Sequence, residues 1–254
     1  MQMPDSPCAS NFVASPNHEP RPASSVDIIV LHYTGMATAI AAQERLCDPA
    51  AKVSAHYFVD EDGTITQLVA EAHRAYHAGV SSWQGTTDIN SRSIGIEIVN
   101  GGHDFGCPDF PQLQIAAVIR LCRDLQTRWP IPQANMLAHS DIAPSRKCDP
   151  GEKFPWGILH RAGVGLWVEP EPILDGATFR MNDAGDAVGE LQTALRSYGY
   201  GIDTTHTFDD AMRDVVMAFQ RHFRPQRIDG VADRSTRETL ERLLAARRAA
   251  QHDT

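Results

Sequence analysis

Two apolar runs set most of what this chain can fold into. Val26-Asp-Ile-Ile-Val-Leu-His32 is almost continuously β-branched or aliphatic, the pattern of a strand covered on both faces, and it closes on a histidine. Ser93-Ile-Gly-Ile-Glu-Ile-Val-Asn100 alternates, with Ile94, Ile96 and Ile98 on one face and Gly95, Glu97 and Val99 on the other. Strands of this kind belong to a sheet packed between layers. Glu97 is out of place there, because a carboxylate among apolar neighbours is costly unless a cation, a metal or a solvent-filled cleft receives it.

A third segment delivers more polar groups. His139-Ser-Asp-Ile-Ala-Pro-Ser-Arg-Lys147-Cys-Asp149-Pro-Gly151 holds two prolines and a glycine, so it cannot be regular helix or strand throughout. Lys147 and Asp149 are two apart and would leave an extended backbone on the same side, with Cys148 pointing away from them.

The remaining pattern is mixed. Residues 1–25 are rich in Pro, Ser and Asn and suggest an irregular lead-in strand or arm lying on the surface. Thr38 to Cys47 is spaced for a helix through Ile40 and Leu46. Ala55–Asp60 and Thr64–Val69 flank Asp62-Gly63, a hairpin signal. Ala70 to Arg92, with His73, His77, Trp83 and Asn90, is long and irregular and predicts a binding loop. Gln112 to Arg128 is the clearest helix, with Leu113, Ala116, Ala117 and Ile119 opposed to charged positions. After a stiff connector at 161–180 containing Glu169-Pro-Glu-Pro172, residues 186–199, 208–222 and 235–248 predict a separate three-helix unit. The domains expected are therefore 1–160 with its arm, a linker at 161–180, and 181–254.

The charge of −9 argues against a nucleic-acid partner, which would require clustered Lys and Arg. The five cysteines are odd in number and irregularly spaced, unlike a disulfide framework. No run approaches the ~20 apolar residues of a membrane span. Met1–Ser10 has no basic or apolar signal-peptide region, so the expected compartment is cytoplasmic, with the periplasm as the alternative.

Should His32, His139 and Asp149 meet, they make the ligand set of a catalytic zinc site with one coordination place open. Glu97 could then serve as base and Lys147 could stabilise an oxyanion, a combination suited to amide hydrolysis. His56, His73, His77 and His103 are also available as ligands. Glu97 could instead pair with an arginine such as Arg92.

Five segments in order, Leu31-His-Tyr-Thr34, Val53-Ser-Ala-His56, Tyr76-His-Ala-Gly79, Ser93–Ile98 and His139–Gly151, resemble the zinc-dependent N-acetylmuramoyl-L-alanine amidases and peptidoglycan recognition proteins. The resemblance covers roughly residues 20–160. It implies a mixed β-sheet flanked by helices, with His32, His139 and Asp149 binding Zn²⁺, Glu97 as base and Lys147 as electrostatic partner. Within the matched region we expect His77 and Asn90 to contact substrate. Some family members carry Cys where Asp149 stands and Tyr where Ala55 stands. The C-terminal unit resembles the small helical peptidoglycan-binding module through Gly185–Val188, Leu191-Gln192, Gly199-Tyr200, Phe219-Gln220 and Asp229–Asp233. The implied reaction is cleavage between the lactyl group of N-acetylmuramic acid, or its anhydro form, and L-alanine. The implied partners are peptidoglycan or anhydromuropeptides. The rival readings are a non-catalytic muropeptide receptor and a zinc peptidase acting within the stem peptide.

Overall fold

Both faces of the central sheet are covered, as the apolar runs require. The computed structural model describes residues 3–22 and 26–252; positions 1–2 and 23–25 of the expected arm, and 253–254, lie outside the described residues. The strands are β1 (Asn11–Phe12), β2 (His18–Pro20), β3 (Ile28–Tyr33), β4 (Tyr57–Val59), β5 (Ile65–Gln67), β6 (His73–Ala75), β7 (Ser93–Ile98) and β8 (Met136–Ala138). Six form one mixed sheet in the order β1-β5-β4-β7-β3-β8, antiparallel only between β4 and β5. The lead-in takes the strand alternative in two short pieces: β1 forms the sheet edge beside β5, and β2 pairs with β6.

Side-chain alternation on β3 and β7 assigns the two faces. Ile29, Leu31, Ile94, Ile96 and Ile98 enter a core with α2 (Gln112–Arg128). On α2 the buried stripe is Ile115, Ala117, Val118, Leu121, Cys122 and Leu125, whereas Leu113 is 67% exposed. The inward face of α2 is therefore rotated from the one expected: in the same first turn Gln114 is fully buried and donates to the Val59 and Val99 carbonyls, which leaves Leu113 facing out. α1 (Ala39–Cys47) is capped by Thr38, whose hydroxyl accepts the Ala41 N–H. Its buried residues are Ala42 and Leu46, while Ile40 faces solvent.

The opposite face of the sheet carries Ile28, Val30, His32, Gly95 and Glu97. α3 (His139–Ile142) and α4 (Trp156–Arg161) follow β8. Then come the expected three helices, α5 (Asp186–Tyr198), α6 (Asp210–Phe223) and α7 (Arg234–His252). They do not form a core of their own. Ile28, Val30, Leu137 and Ile142 share one buried cluster with Val188, Leu195, Val216, Phe219 and Leu243. Leu166, Trp167 and Val168 of the connector pack on the same cluster, so the 161–180 segment is not a free spacer.

Trp83 explains part of the long 70–92 segment. It is fully buried, stacks edge-on to Tyr198 and Tyr200, and forms a backbone bridge to Tyr200. Gly199, at φ +140°, permits this approach, since a Cβ there would lie 2.5 Å from the Trp83 ring. This part of the loop is a dock for the helical unit rather than a binding loop. No described helix is long and apolar enough to cross a membrane.

Candidate metal centre

The sheet register places His32 beside Glu97, and Glu97 in turn beside Phe58. His139 opens α3 at the end of β8, the strand next to β3, and Asp149 follows on the loop beyond. The Ser140 N–H donates to the Asp149 carbonyl at 3.1 Å, tying that loop back to α3. As a result His32 Nδ1, His139 Nδ1 and Asp149 Oδ2 come within 2.9, 3.1 and 3.0 Å of one another. All three residues are buried.

The hydrogen-bond network determines what these atoms present. Ser93 Oγ donates to the Ile89 carbonyl at 2.7 Å, so it can only accept from His77 Nε2–H at 3.1 Å. His77 Nδ1 is then an acceptor and takes the His32 Nε2–H at 3.1 Å, which leaves a lone pair on His32 Nδ1. His139 Nε2–H donates to the Ala78 carbonyl at 3.2 Å, which leaves a lone pair on His139 Nδ1. Two imidazole lone pairs and a carboxylate oxygen converge, an arrangement that repels itself unless a cation sits among them.

The donor set fits a divalent metal. Separations near 3 Å are close to the ~3.3 Å tetrahedral edge expected for ligands about 2.0–2.1 Å from zinc. Electrostatics agree with that chemistry. Burial, with His139 adding to it, lowers His32 to about 4, keeping the imidazole neutral as a ligand must be. Burial opposes ionisation of Asp149, and positive charge on the His139 and His32 side, which a cation among the three would supply in place of ring protons, holds it well below the usual carboxylate range. A second group, His103, Cys107 and Glu152, also brings three donor types together, but on the exposed rim.

Glu97 lies on the floor of the same cleft. Its Oε2 is sealed from solvent and has no hydrogen-bond partner. Burial, then Asp149, push its carboxyl well above the ordinary value, with Lys147 pulling the other way. The alternative partner Arg92 is engaged elsewhere, with Asp27. Lys147 lines the cleft, as do Cys148 and Arg146. Cys148 therefore does not turn away as simple alternation predicts, because the backbone there is irregular; its thiol lies 3.2 Å from the Tyr33 hydroxyl.

Of the two expected substrate contacts, His77 lines the cleft and Asn90 does not. His77 is 8% exposed and its ring is committed to His32 and Ser93. Asn90 does not line the cleft; its side-chain carbonyl accepts the N–H groups of His77 and Ala78 at 3.1 and 2.8 Å. Through these bonds the two residues set the ring orientation of His32 and the carbonyl that receives His139. Gly95 makes room for this, since a Cβ there would lie 2.4 Å from the His77 ring.

A family model for N-acetylmuramoyl-L-alanine amidase matches residues 22–152, just over half of the chain. The chain belongs to the N-acetylmuramoyl-L-alanine amidase family. A model for a putative peptidoglycan binding domain matches 184–240. Among relatives, the amidase AmiD of Escherichia coli is 36% identical over 233 residues, 86% of this chain and 82% of that protein. The 1,6-anhydro-N-acetylmuramyl-L-alanine amidase AmpD of E. coli is 45% identical over 105 residues, 41% of this chain and 55% of AmpD. The structure of E. coli AmiD with anhydro-N-acetylmuramic acid-L-Ala-D-γ-Glu-L-Lys superposes with a TM-score of 0.75 at 35% identity, covering 89% of this chain and 92% of AmiD. AmpDh3 of Pseudomonas aeruginosa with anhydromuramic pentapeptide gives 0.70 at 34% identity, covering 88% and 93%. The amidase fold expected from the five ordered segments is the fold found.

The supporting roles of Ser93, Asn90 and Ala78 were not read from the sequence. Their contributions pass through backbone groups and ring tautomers, which leave no residue-type signature. The contacts of Asp141 with the C-terminal unit are equally invisible in a linear pattern.

Proposed function

We infer that this protein hydrolyses the amide between the lactyl group of N-acetylmuramic acid, including its 1,6-anhydro form, and the L-alanine of the stem peptide. The observation carrying this reading is the convergence of two imidazole Nδ1 atoms and the Asp149 carboxylate beside the unpaired Glu97 oxygen. In this reading His32, His139 and Asp149 hold zinc, Glu97 is the base and Lys147 the electrostatic partner. Zinc, when bound, supplies Lewis acidity that makes water nucleophilic at neutral pH and polarises a carbonyl. Glu97 takes the proton of the attacking water and returns it to the leaving alanine nitrogen, a role suited to a carboxyl whose proton affinity is raised. Lys147 supplies positive charge to the oxygen that becomes negative as the carbonyl carbon turns tetrahedral.

The cleft, about 400 Å³, suits one muramyl residue and the start of a peptide. Met36, Leu46 and Val53 give it an apolar wall, and Arg45, Arg146 and Lys147 a cationic one that favours the carboxylates of a stem peptide. The anhydromuropeptides held by AmiD and AmpDh3 support the anhydro form as a substrate here. We divide the chain into a catalytic part at 1–160, a packed connector at 161–180 and a helical unit at 181–254 that meets the wall polymer. A cytoplasmic site of action is the reading favoured by five free thiols, one of which, Cys148, lines the cleft; cell fractionation checks it.

Incubation with anhydromuropeptides and, separately, with intact sacculi, followed by mass analysis, tests the activity. The expected products are a free muramic lactyl carboxylate and a peptide beginning with L-alanine. Fragments cut inside the stem would make the protein a peptidase, and binding without turnover would make it a receptor.

A further inference from the structure

The helical unit touches the metal site from behind. Asp141 is the third residue of α3, two after His139, and its carboxylate is 1% exposed. Its Oδ2 accepts the Ala138 N–H at 2.8 Å and His222 Nδ1–H at 2.7 Å, and its Oδ1 accepts the Tyr200 hydroxyl at 2.7 Å. One donor is local, from the start of α3. The other two come from α6 and from the turn after α5, 81 and 59 residues away in the chain.

Those two donors are themselves fixed. The His222 ring stacks on Trp156 with centroids 3.7 Å apart and on Phe223 at 3.8 Å. The Tyr200 ring packs edge-on to Trp83 at 5.3 Å. Trp156 opens α4, seven positions after Asp149, so His222 touches the chain both before and after Asp149. A helix of four residues cannot hold its own geometry, because nucleating a single turn is unfavourable. The direction of α3, and with it the Nδ1 lone pair of His139, therefore depends on what grips Asp141.

We propose that Tyr200 and His222 of the C-terminal unit are positioning residues for the metal ligand His139, acting through Asp141. The unit matched as a putative peptidoglycan binding domain then has a second task, completing the metal centre of the domain before it. The proposal rests on the metal reading given above.

The test uses the full chain with Tyr200→Phe, His222→Phe and His222→Asn. Asparagine places its amide nitrogen where the histidine has Nδ1 and should restore the bond to Asp141. Zinc affinity is measured by competition with a chromophoric chelator, ligand geometry by the visible spectrum of the cobalt-substituted protein, and folding by thermal melts. Tyr200→Phe and His222→Phe are expected to melt cooperatively, to hold zinc about tenfold more weakly, within the range for residues supporting a metal ligand, and to shift the cobalt spectrum. Their kcat should fall more than KM changes, and His222→Asn should recover most of both properties. Should His222→Phe fail to fold, Tyr200→Phe carries the test alone. A lower melting temperature with wild-type zinc affinity and cobalt spectrum would leave both residues as packing groups and overturn the proposal. Absence of metal binding by the wild type is read in the same titration and would instead remove the metal reading itself.

Discussion

Glu97 stands directly beside His32 across the parallel β3–β7 pair, so one register sets the distance between the proposed base and the first metal ligand. Only the base role needs an ionisable group at 97. Glu97→Gln should therefore bind zinc as the wild type does and lose turnover by about 10²–10⁴-fold, the usual contribution of a positioned acid–base group. Emission spectroscopy for metal content and a muropeptide assay check the two halves. Full activity in the variant would remove Glu97 from the mechanism.

His139 offers the complementary case. His139→Ala deletes one of three converging donors and leaves His32 Nδ1 and Asp149 Oδ2 as an incomplete set. The variant should retain less than stoichiometric zinc after dialysis. Chelator treatment of the wild type should abolish turnover, and added zinc should restore it. A metal-free wild type with undiminished activity would contradict the ligand assignment.

What the sequence disclosed and what it hid have physical reasons. The β3 and β7 runs and the 62–63 turn were legible because burial on two faces and hairpin geometry each restrict residue type strongly. β8 is three residues long and sits against a proline-rich turn, too short to show a period. The five ordered segments implied the trio His32, His139 and Asp149, which the structure brings together, whereas spacing alone left His56, His73, His77 and His103 as rivals. His77 illustrates why: one ring can ligate, contact substrate or orient another ring, and only its partners in space separate these roles. The helical unit showed its inward faces through periodicity, but periodicity cannot tell whether a face closes on its own unit or on a neighbouring sheet.

His56 gives a pH-dependent prediction. Its Nδ1 accepts the Gly95 N–H at 3.0 Å and its Nε2–H donates to the His73 carbonyl at 3.1 Å, a neutral tautomer with no place for a second proton. Burial, and the Arg21 guanidinium beside it, lower it to about 3. The unfolded chain therefore binds a proton near pH 6.5 that the folded chain refuses. Stability is full above that pH and falls as the pH drops toward 3, with His56 contributing a slope of about 1.4 kcal/mol per pH unit. Urea unfolding of metal-free protein between pH 5 and 7 measures the slope. His56→Gln should be less stable but should show a slope shallower by about one proton.

Glu71 links the 70–92 segment to α2. It is 3% exposed and accepts from both terminal guanidinium nitrogens of Arg128, Nη1 and Nη2, at 2.5 and 2.7 Å, and from the Trp129 indole N–H at 2.6 Å. Arg128→Ala leaves this carboxylate buried without its cation and should lower stability by about 3 kcal/mol. Chemical denaturation checks the size, and a loss below ~1 kcal/mol would mean that water or the Arg21 guanidinium offsets the charge.

Removing residues 181–254 is the sharpest test of how the two parts are joined. A free-standing helical module would leave a catalytic part that melts as before, which is what the sequence pattern alone suggests. The structure gives the opposite expectation. Ile28, Val30, Trp83, Leu137 and Ile142 would be uncovered together, since their buried cluster is closed by Val188, Leu195, Val216 and Phe219. Each large side chain returned to water costs about 1.5–3 kcal/mol, so the sum is comparable to the 5–15 kcal/mol that holds a typical domain together. Asp141 would also lose its bonds to Tyr200 and His222 while remaining near the metal ligands. The truncated chain should therefore aggregate or unfold without a cooperative transition, and a dye that binds exposed apolar surface should report it. A truncated protein that melts sharply and turns over muropeptide would show instead that the shared core is dispensable.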